Sequence, residues 1–232
     1  DIDLAGSLTA GTKSLVIHQA EASLTIGLGT TATDMDVADA ELGRLTADAG
    51  LTLGSATSGS IAVESVTDGS SDAIGTPTLL ATNAAATVTF QDGASVFNKG
   101  VVVQAAKGIA VQQDVSSVDG SISMDGDSND ADNSLDTIAT ADGVTVTSGT
   151  VLTLTATTSG IVPAGKLTLA AKTGVYIADS LTLYSASNKA LVINADSDSA
   201  NSNGILTVKT GATVTSKNSD VTITAWDVDM AG

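Results

Sequence analysis

Val144-Thr145-Val146, Leu152-Thr153-Leu154, Leu167-Thr168-Leu169, Val175-Tyr176-Ile177 and Leu181-Thr182-Leu183 follow one another between positions 144 and 183. In each, aliphatic residues flank a polar or aromatic one, which is the period of two that a half-buried strand requires. Gly, Asn, Asp and Ser fill the intervals, as tight corners demand. Upstream the same triplet appears at Leu15-Val16-Ile17, Leu24-Thr25-Ile26, Leu51-Thr52-Leu53, Ile61-Ala62-Val63, Val88-Thr89-Phe90, Val101-Val102-Val103, Ile109-Ala110-Val111 and Ile122-Ser123-Met124. Downstream it continues at Leu191-Val192-Ile193, Leu206-Thr207-Val208 and Val221-Thr222-Ile223. A helical period is almost absent; only Val37 to Leu45 permits a turn, and Gly43 interrupts it.

Short strands in this rhythm suit a sandwich, a barrel or a β-solenoid. Core volume separates them. A sandwich spans an inter-sheet gap of ~10 Å with bulky side chains, and two Phe, two Tyr and one Trp do not supply them. A solenoid interior is thin and is filled by stacked Val, Ile, Leu and Ala. Hairpin signals are also missing, for no Asn-Gly or Asp-Gly joins two long alternating strands. The expected fold is therefore all-β, a parallel β-helix of about nine coils, roughly 20 to 28 residues each, rising ~4.8 Å per coil. The polar stretches Thr67 to Thr76, Asp125 to Thr137 and Asp196 to Gly204 are expected as loops thrown out from corners, within one continuous domain spanning 1–232.

Composition agrees with small building blocks: Ala (35), Thr (33), Ser (26) and Gly (23) make up half of the 232 residues. No apolar run approaches the ~18 residues of a transmembrane helix. The net charge of −17 repels nucleic acid. Without Cys there is neither a disulfide nor a thiolate metal site. No charged-then-apolar leader follows Asp1, so any signal peptide is expected outside these residues.

The two ends echo each other. Asp1-Ile2-Asp3-Leu4-Ala5-Gly6 returns as Asp227-Val228-Asp229-Met230-Ala231-Gly232, offset by 226 positions, directly after Trp226. This suggests one ~226-residue repeat of a tandem array, with a junction formed by Asp1, Ile2, Asp3, Leu4, Trp226, Asp227, Val228 and Asp229, the second hexapeptide serving as a turn. An uncapped solenoid leaves open strand edges unless a further coil covers them.

Leu24-Thr25-Ile26-Gly27, Ala40-Glu41-Leu42-Gly43-Arg44-Leu45-Thr46-Ala47, Gly50-Leu51-Thr52-Leu53-Gly54 and Gly59-Ser60-Ile61-Ala62-Val63 resemble the strand repeats of filamentous-haemagglutinin-like giant surface proteins. So do Gly143-Val144-Thr145-Val146-Thr147 and the stretch from Asn218 to Ala225. The resemblance implies a right-handed parallel β-helix located outside the cell or on its surface, in adhesins and fibrous coats. It assigns no binding residue, and the secretion domain of such exporters is not within these residues.

Catalytic constellations are scarce. His18 is the only histidine and follows an apolar strand, so it reads as an ordinary corner residue; no Gly-x-Ser-x-Gly turn accompanies it. Carboxylates are plentiful, but Arg44 is the only guanidinium and aromatic sugar platforms are nearly absent, so no enzyme is expected and a polysaccharide-active one is the remote alternative. Asp125, Asp127, Asn129, Asp132 and Asp136 have the oxygen-ligand spacing of a weak calcium loop, although Asp130 stands where such a loop needs Gly. A solvated acidic loop is the plainer account. Asp34, Asp36 and the loop of Asp196, Asp198, Asn201 and Asn203 are fainter versions. Five Thr-x-Thr steps (Thr87/Thr89, Thr145/Thr147, Thr153/Thr155, Thr213/Thr215, Thr222/Thr224) invite comparison with ice-binding ranks, but their spacing puts neighbouring steps on different faces. The expectation is a non-catalytic building block of an extracellular fibre, surface filament or adhesin stalk, with copies of itself or adjacent repeats as head-to-tail partners and no cofactor. The alternative is an acidic binding module for calcium, glycan or ice.

Overall fold

A computed structural model describes residues 2–30, 32–132, 135–184, 189–200 and 203–230. The chain winds through three parallel sheets in turn. Coil one is β1 (Leu8–Gly11), β2 (Leu15–Ile17) and β3 (Ile26–Gly29), after which the chain doubles back through β4 (Met35–Ala38) and the single turn α1 (Asp39–Leu42). Coil two is β5 (Leu45–Ala47), β6 (Leu51–Ser55) and β7 (Ile61–Glu64), followed by the turn α2 (Asp68–Ser71). In coil three an isolated bridge from Ala47 to Ile74 precedes β8 (Thr78–Ala81) and β9 (Val88–Phe90). Coils four and five are β10 (Ser95–Phe97), β11 (Val101–Ala105), β12 (Ile109–Val111), then β13 (Val115–Ser117), β14 (Ile122–Asp125), β15 (Ile138–Thr140). Coils six and seven are β16 (Val144–Ser148), β17 (Val151–Thr155), β18 (Ile161–Pro163), then β19 (Leu167–Ala171), β20 (Gly174–Ile177), β21 (Leu181–Thr182). Coil eight is β22 (Leu191–Asn194), β23 (Ile205–Val208) and β24 (Val214–Thr215); coil nine has only β25 (Val221–Thr224) and β26 (Asp227–Met230).

Each sheet stacks the same member of successive coils. The first face carries two separate sheets, β1-β5 and the six-stranded β10 to β25; the second sheet runs β2 to β26 in nine strands, and the third runs β4-β3-β7 to β24 in nine. All pairings are parallel, the arrangement of a parallel β-helix. In the second sheet the step between stacked positions ranges from 21 residues (Val102 to Ser123) to 36 (Val16 to Thr52), a wider range than the sequence suggests. Insertions enter at corners and leave the second and third ladders continuous, while the first is interrupted in coil three, where only the Ala47–Ile74 bridge remains.

The core is a set of aliphatic rows along the rod. Ile26, Ile61, Val88, Ile109, Ile138, Ile161, Leu181 and Val214 lie in register in the third sheet. Ile17, Leu53, Leu79, Val103, Met124, Leu154, Ile177, Val208 and Met230 do so in the second. Phe90 and Phe97 are the only large rings fully buried among the described residues. Phe97 sits directly beneath Ser117, so a large inward side chain is matched by a small one in the next coil. Ser117 and Ser148, both buried, close corners: Ser117 Oγ donates to Gly120 O at 2.6 Å and accepts from Gly149 N at 2.9 Å, while Ser148 Oγ donates to Val151 O at 2.8 Å. At Gly100 (φ +89°) a Cβ would lie 2.2 Å from Ser121 O in the next coil, so the corner requires glycine.

Three local expectations are corrected. Asp227–Met230 is a strand and not a turn, because Val228 and Met230 continue the inward rows of Leu206 and Val208. Thr67 to Thr76 is not a free loop, for it holds α2 and the Ile74 bridge with Ile74 fully buried. Leu24-Thr25-Ile26 becomes strand only from Ile26.

Candidate functional site

The acidic stretch after β14 is exposed from Asn129 to Asp132 but anchored at both bases. Asp127 is 1% exposed and Asp136 is fully buried. Asp127 Oδ2 accepts Thr158 N at 2.7 Å and the Thr158 hydroxyl, tying the loop to the next coil, whereas its Oδ1 has no hydrogen-bond partner. Asp125 Oδ1 accepts Asp127 N at 3.1 Å, and Asn129 Oδ1 accepts Ala131 N at 3.1 Å. Burial pushes the Asp125 carboxyl above the usual carboxylate range; the charges of Asp127, Asp130 and Asp179 add to this, and the Asp127 N–H opposes it. The fold thus brings Asp125 and Asp127 into one electrostatic neighbourhood with Asp130 and, from another coil, Asp179, which the sequence did not single out. Asp132 is exposed. Among the described residues no three His, Asp or Glu side chains converge to hold a metal ion.

The fainter acidic sites are used locally. Asp34 Oδ2 accepts Thr25 N and Thr25 Oγ1 at 2.8 and 2.7 Å, and these bonds hold its carboxyl below its ordinary range. Asp36 Oδ1 accepts Thr33 N and Thr33 Oγ1, each at 2.8 Å, and Asp198 Oδ1 accepts Ala200 N at 3.1 Å. Asn201 lies outside the described residues. The Nδ1 of exposed His18 lies 2.8 Å from Gln19 O. The Thr-x-Thr steps fall on all three sheets, with Thr87/Thr89 and Thr213/Thr215 in or beside third-sheet strands, Thr153/Thr155 in the second sheet, and the other two in the first.

A groove of about 430 Å³ crosses the corners between the second and third sheets in coils six to eight. Hydroxyls of Thr158, Ser180 and Thr210 line it, with Asp179 and Lys209 as its charged groups. Asp179 Oδ2 is engaged by Ala156 N at 2.8 Å.

The rod ends carry the largest departure from interior packing. Val221 and Ile223 stand in register with Leu191 and Ile193, and Val228 and Met230 with Leu206 and Val208. The lower partners are buried, whereas the four terminal ones are 45%, 41%, 43% and 60% exposed. They are inward-facing core residues with no coil above them. Trp226 is 63% exposed beside them, and its backbone N–H donates to Gly204 O at 2.7 Å. At the other end β4 covers the third-sheet edge, with Val37 and Leu42 each 1% exposed. Ile2 N donates to Asp36 O at 3.2 Å, Leu4 N donates to Glu41 Oε1 at 3.0 Å, and Arg44 Nη1 donates to Leu4 O at 2.7 Å.

The two hexapeptides are therefore not placed alike. Asp227, Val228 and Asp229 extend the second sheet, while Ile2 bonds to Asp36 of β4, Leu4 to Glu41 of α1 and to Arg44, and Asp3 lies between them; Asp1, Ala231 and Gly232 are outside the described residues. Comparison of the chain with protein-family models, curated proteins and solved structures finds no match.

Proposed function

We propose that the chain is a non-catalytic structural segment of an extended extracellular or cell-surface fibre or adhesin stalk, coiled right-handed and continuing end to end with further copies or repeats. The observation that carries this reading is the exposed set of inward residues Val221, Ile223, Val228 and Met230 on coil nine. Burying such aliphatic surface stabilises at about 25 cal/mol per Å², and a strand edge left bare invites pairing. The contact joins unlike ends, so it extends rather than closes. Analytical ultracentrifugation from micromolar to millimolar chain should show growth beyond the monomer, abolished by Val228→Asp with Met230→Asp. A monomer throughout would overturn the reading.

A second reading rests on Asp127, whose buried Oδ1 lacks a partner next to Asp125. An acidic module for calcium would give saturable heat in a calorimetric calcium titration, and one taking a glycan in the hydroxyl-lined groove would give a saturable signal on a glycan array.

A further inference from the structure

Two corners inside the rod are built on one pattern. Asp125-Gly126-Asp127-Ser128-Asn129-Asp130-Ala131 leaves β14 of the second sheet, and Asn194-Ala195-Asp196-Ser197-Asp198-Ser199-Ala200 leaves β22 of the first. In each, the side chain of the first residue accepts the N–H of the third: Asp127 N donates to Asp125 Oδ1 at 3.1 Å, and Asp196 N to Asn194 Oδ1 at 3.3 Å. The fifth accepts the N–H of the seventh, Ala131 N to Asn129 Oδ1 and Ala200 N to Asp198 Oδ1, at 3.1 Å in both. The sixth residue donates to the carbonyl of the third, Asp130 N to Asp127 O at 3.1 Å and Ser199 N to Asp196 O at 3.2 Å, with φ of +50° and +52°. The second and fourth N–H groups reach other coils. Gly126 and Ala195 donate to Thr155 O and Thr224 O of the coil after, while Ser128 and Ser197 donate to Ala105 O and Ala171 O of the coil before.

These bonds fix the shape of the loops, and the third residue shows what the shape leaves over. Asp127 is 1% exposed and its Oδ2 is taken by Thr158, yet its Oδ1 is buried without a hydrogen-bond partner. Asp196 is half-buried, and its Oδ1 is likewise enclosed without a partner. The same oxygen is left over in both corners. Ser128 Oγ, on the residue after Asp127, is a further buried oxygen with no partner. Keeping a carboxylate oxygen away from both water and donors is costly, and an ion or an ordered water is what relieves it.

Charge favours the ion. Positions one, three and five hold two carboxylates and one amide in each corner: Asp125, Asp127 and Asn129 in one, Asn194, Asp196 and Asp198 in the other. The amide changes place and the total charge does not. No three carboxylates converge among the described residues, so amide and main-chain oxygens complete the shell, a mixed oxygen set that suits calcium better than the stricter octahedron of magnesium. Resting on the calcium reading of Asp127 above, we propose that Asx-x-Asp-Ser-Asx-x-Ala is a calcium-binding corner used twice, with Asn194, Asp196 and Asp198 forming a second site equivalent to that of Asp125, Asp127 and Asn129. Because each loop is bonded to the coil before it and the coil after it, an ion held there fastens three consecutive coils.

Equilibrium dialysis of the chain against calcium chloride tests this, in ~0.15 M sodium chloride to screen diffuse attraction to the acidic surface. Two sites per chain are expected, with dissociation constants of about 10⁻⁴ to 10⁻³ M. Asp127→Asn and Asp196→Asn should each leave one site, and the two together none. Asn129→Ala and Asp198→Ala, both at exposed side chains, repeat the two losses should a substitution at the buried position disturb folding. Calcium should also raise the Tm of the unmodified chain more than that of either single variant. One site that is lost with Asp127→Asn and kept with Asp196→Asn and Asp198→Ala would overturn the duplication while the calcium reading stands. No saturable binding at millimolar calcium, or uptake that none of these substitutions changes, would overturn both and assign the leftover oxygens to water.

Discussion

Ile193 and Ile223 occupy the same inward row one coil apart, yet the first is buried and the second is 41% exposed. At the opposite end Val37 stands on Leu28 and is buried, because the chain has folded back over its own edge. The same aliphatic pattern is therefore covered where β4 closes the third sheet and exposed on coil nine, as it is at Leu8 of the first coil. What differs is the presence of a covering strand, not the residues. In a solenoid each coil contacts only its neighbours, so a residue's contribution is fixed by whether the next coil exists.

The largest effect should separate these two isoleucines. Ile193→Ala is expected to cost about 3 kcal/mol, a fall in Tm of roughly 6 to 12 °C, whereas Ile223→Ala in the monomer should stay within about 0.5 kcal/mol. Thermal unfolding measures both, and equal losses would erase the distinction between the coils. Next comes Gly100→Ala, which combines a left-handed backbone with a Cβ pressed on Ser121 O; a loss of about 2 kcal/mol is expected in denaturant unfolding. Val37→Ala should cost about 2 kcal/mol at the covered end, against less than 1 for Val214→Ala at the bare end of the same sheet. If Val214→Ala proves the costlier, the ends have been assigned the wrong way round.

The smallest effect concerns Asp125. Its folded carboxyl holds a proton more tightly than the unfolded one, so the native state is favoured below the unfolded value near 4 and that advantage is lost as pH rises through the folded value. Asp125→Asn keeps an acceptor for Asp127 N and removes the charge, so it should raise Tm by about 2 °C at pH 7 and change little below pH ~4. A lower Tm at pH 7 would show that the ionised carboxylate is held by something the repulsion from Asp127, Asp130 and Asp179 does not outweigh. Asp34 and Asp142 run the opposite way. The Thr25 N–H and hydroxyl stabilise Asp34, and the Lys189 hydrogen bond followed by the Lys166 N–H stabilises Asp142, so their contributions are lost as pH falls. Both are exposed and their effect on Tm should be slight.

Strands with aliphatic residues at both inward positions, such as Val144-Thr145-Val146 and Leu206-Thr207-Val208, could be read directly from the chain. Strands whose inward partner is small or polar could not. In β13 and β15 the inward positions end on Ser117 and Thr140, and in β5 and β18 on Ala47 and Pro163. Their fit depends on a neighbour in another coil, such as Phe97 beneath Ser117, and a single strand carries no trace of that neighbour. The acidic loop shows the same division. Asp125 and Asp127 are close in sequence and close in space, but Thr158 and Asp179 reach them from later coils, and variable coil lengths hide that register. At the ends, the hexapeptide echo is plain in the sequence, whereas the return of β4 beneath β3, after a connection of only five residues, leaves no periodic signal.

The proposal that the exposed inward residues of coil nine form a junction meets its most direct test in electron microscopy of the chain at rising concentration, combined with fibre diffraction of the concentrated material. The account predicts rods that lengthen in steps of about nine coils, near 43 Å, with one continuous meridional spacing of ~4.8 Å through every junction. Particles of a single fixed length at all concentrations, with Val228 and Met230 still accessible to solvent, would contradict it.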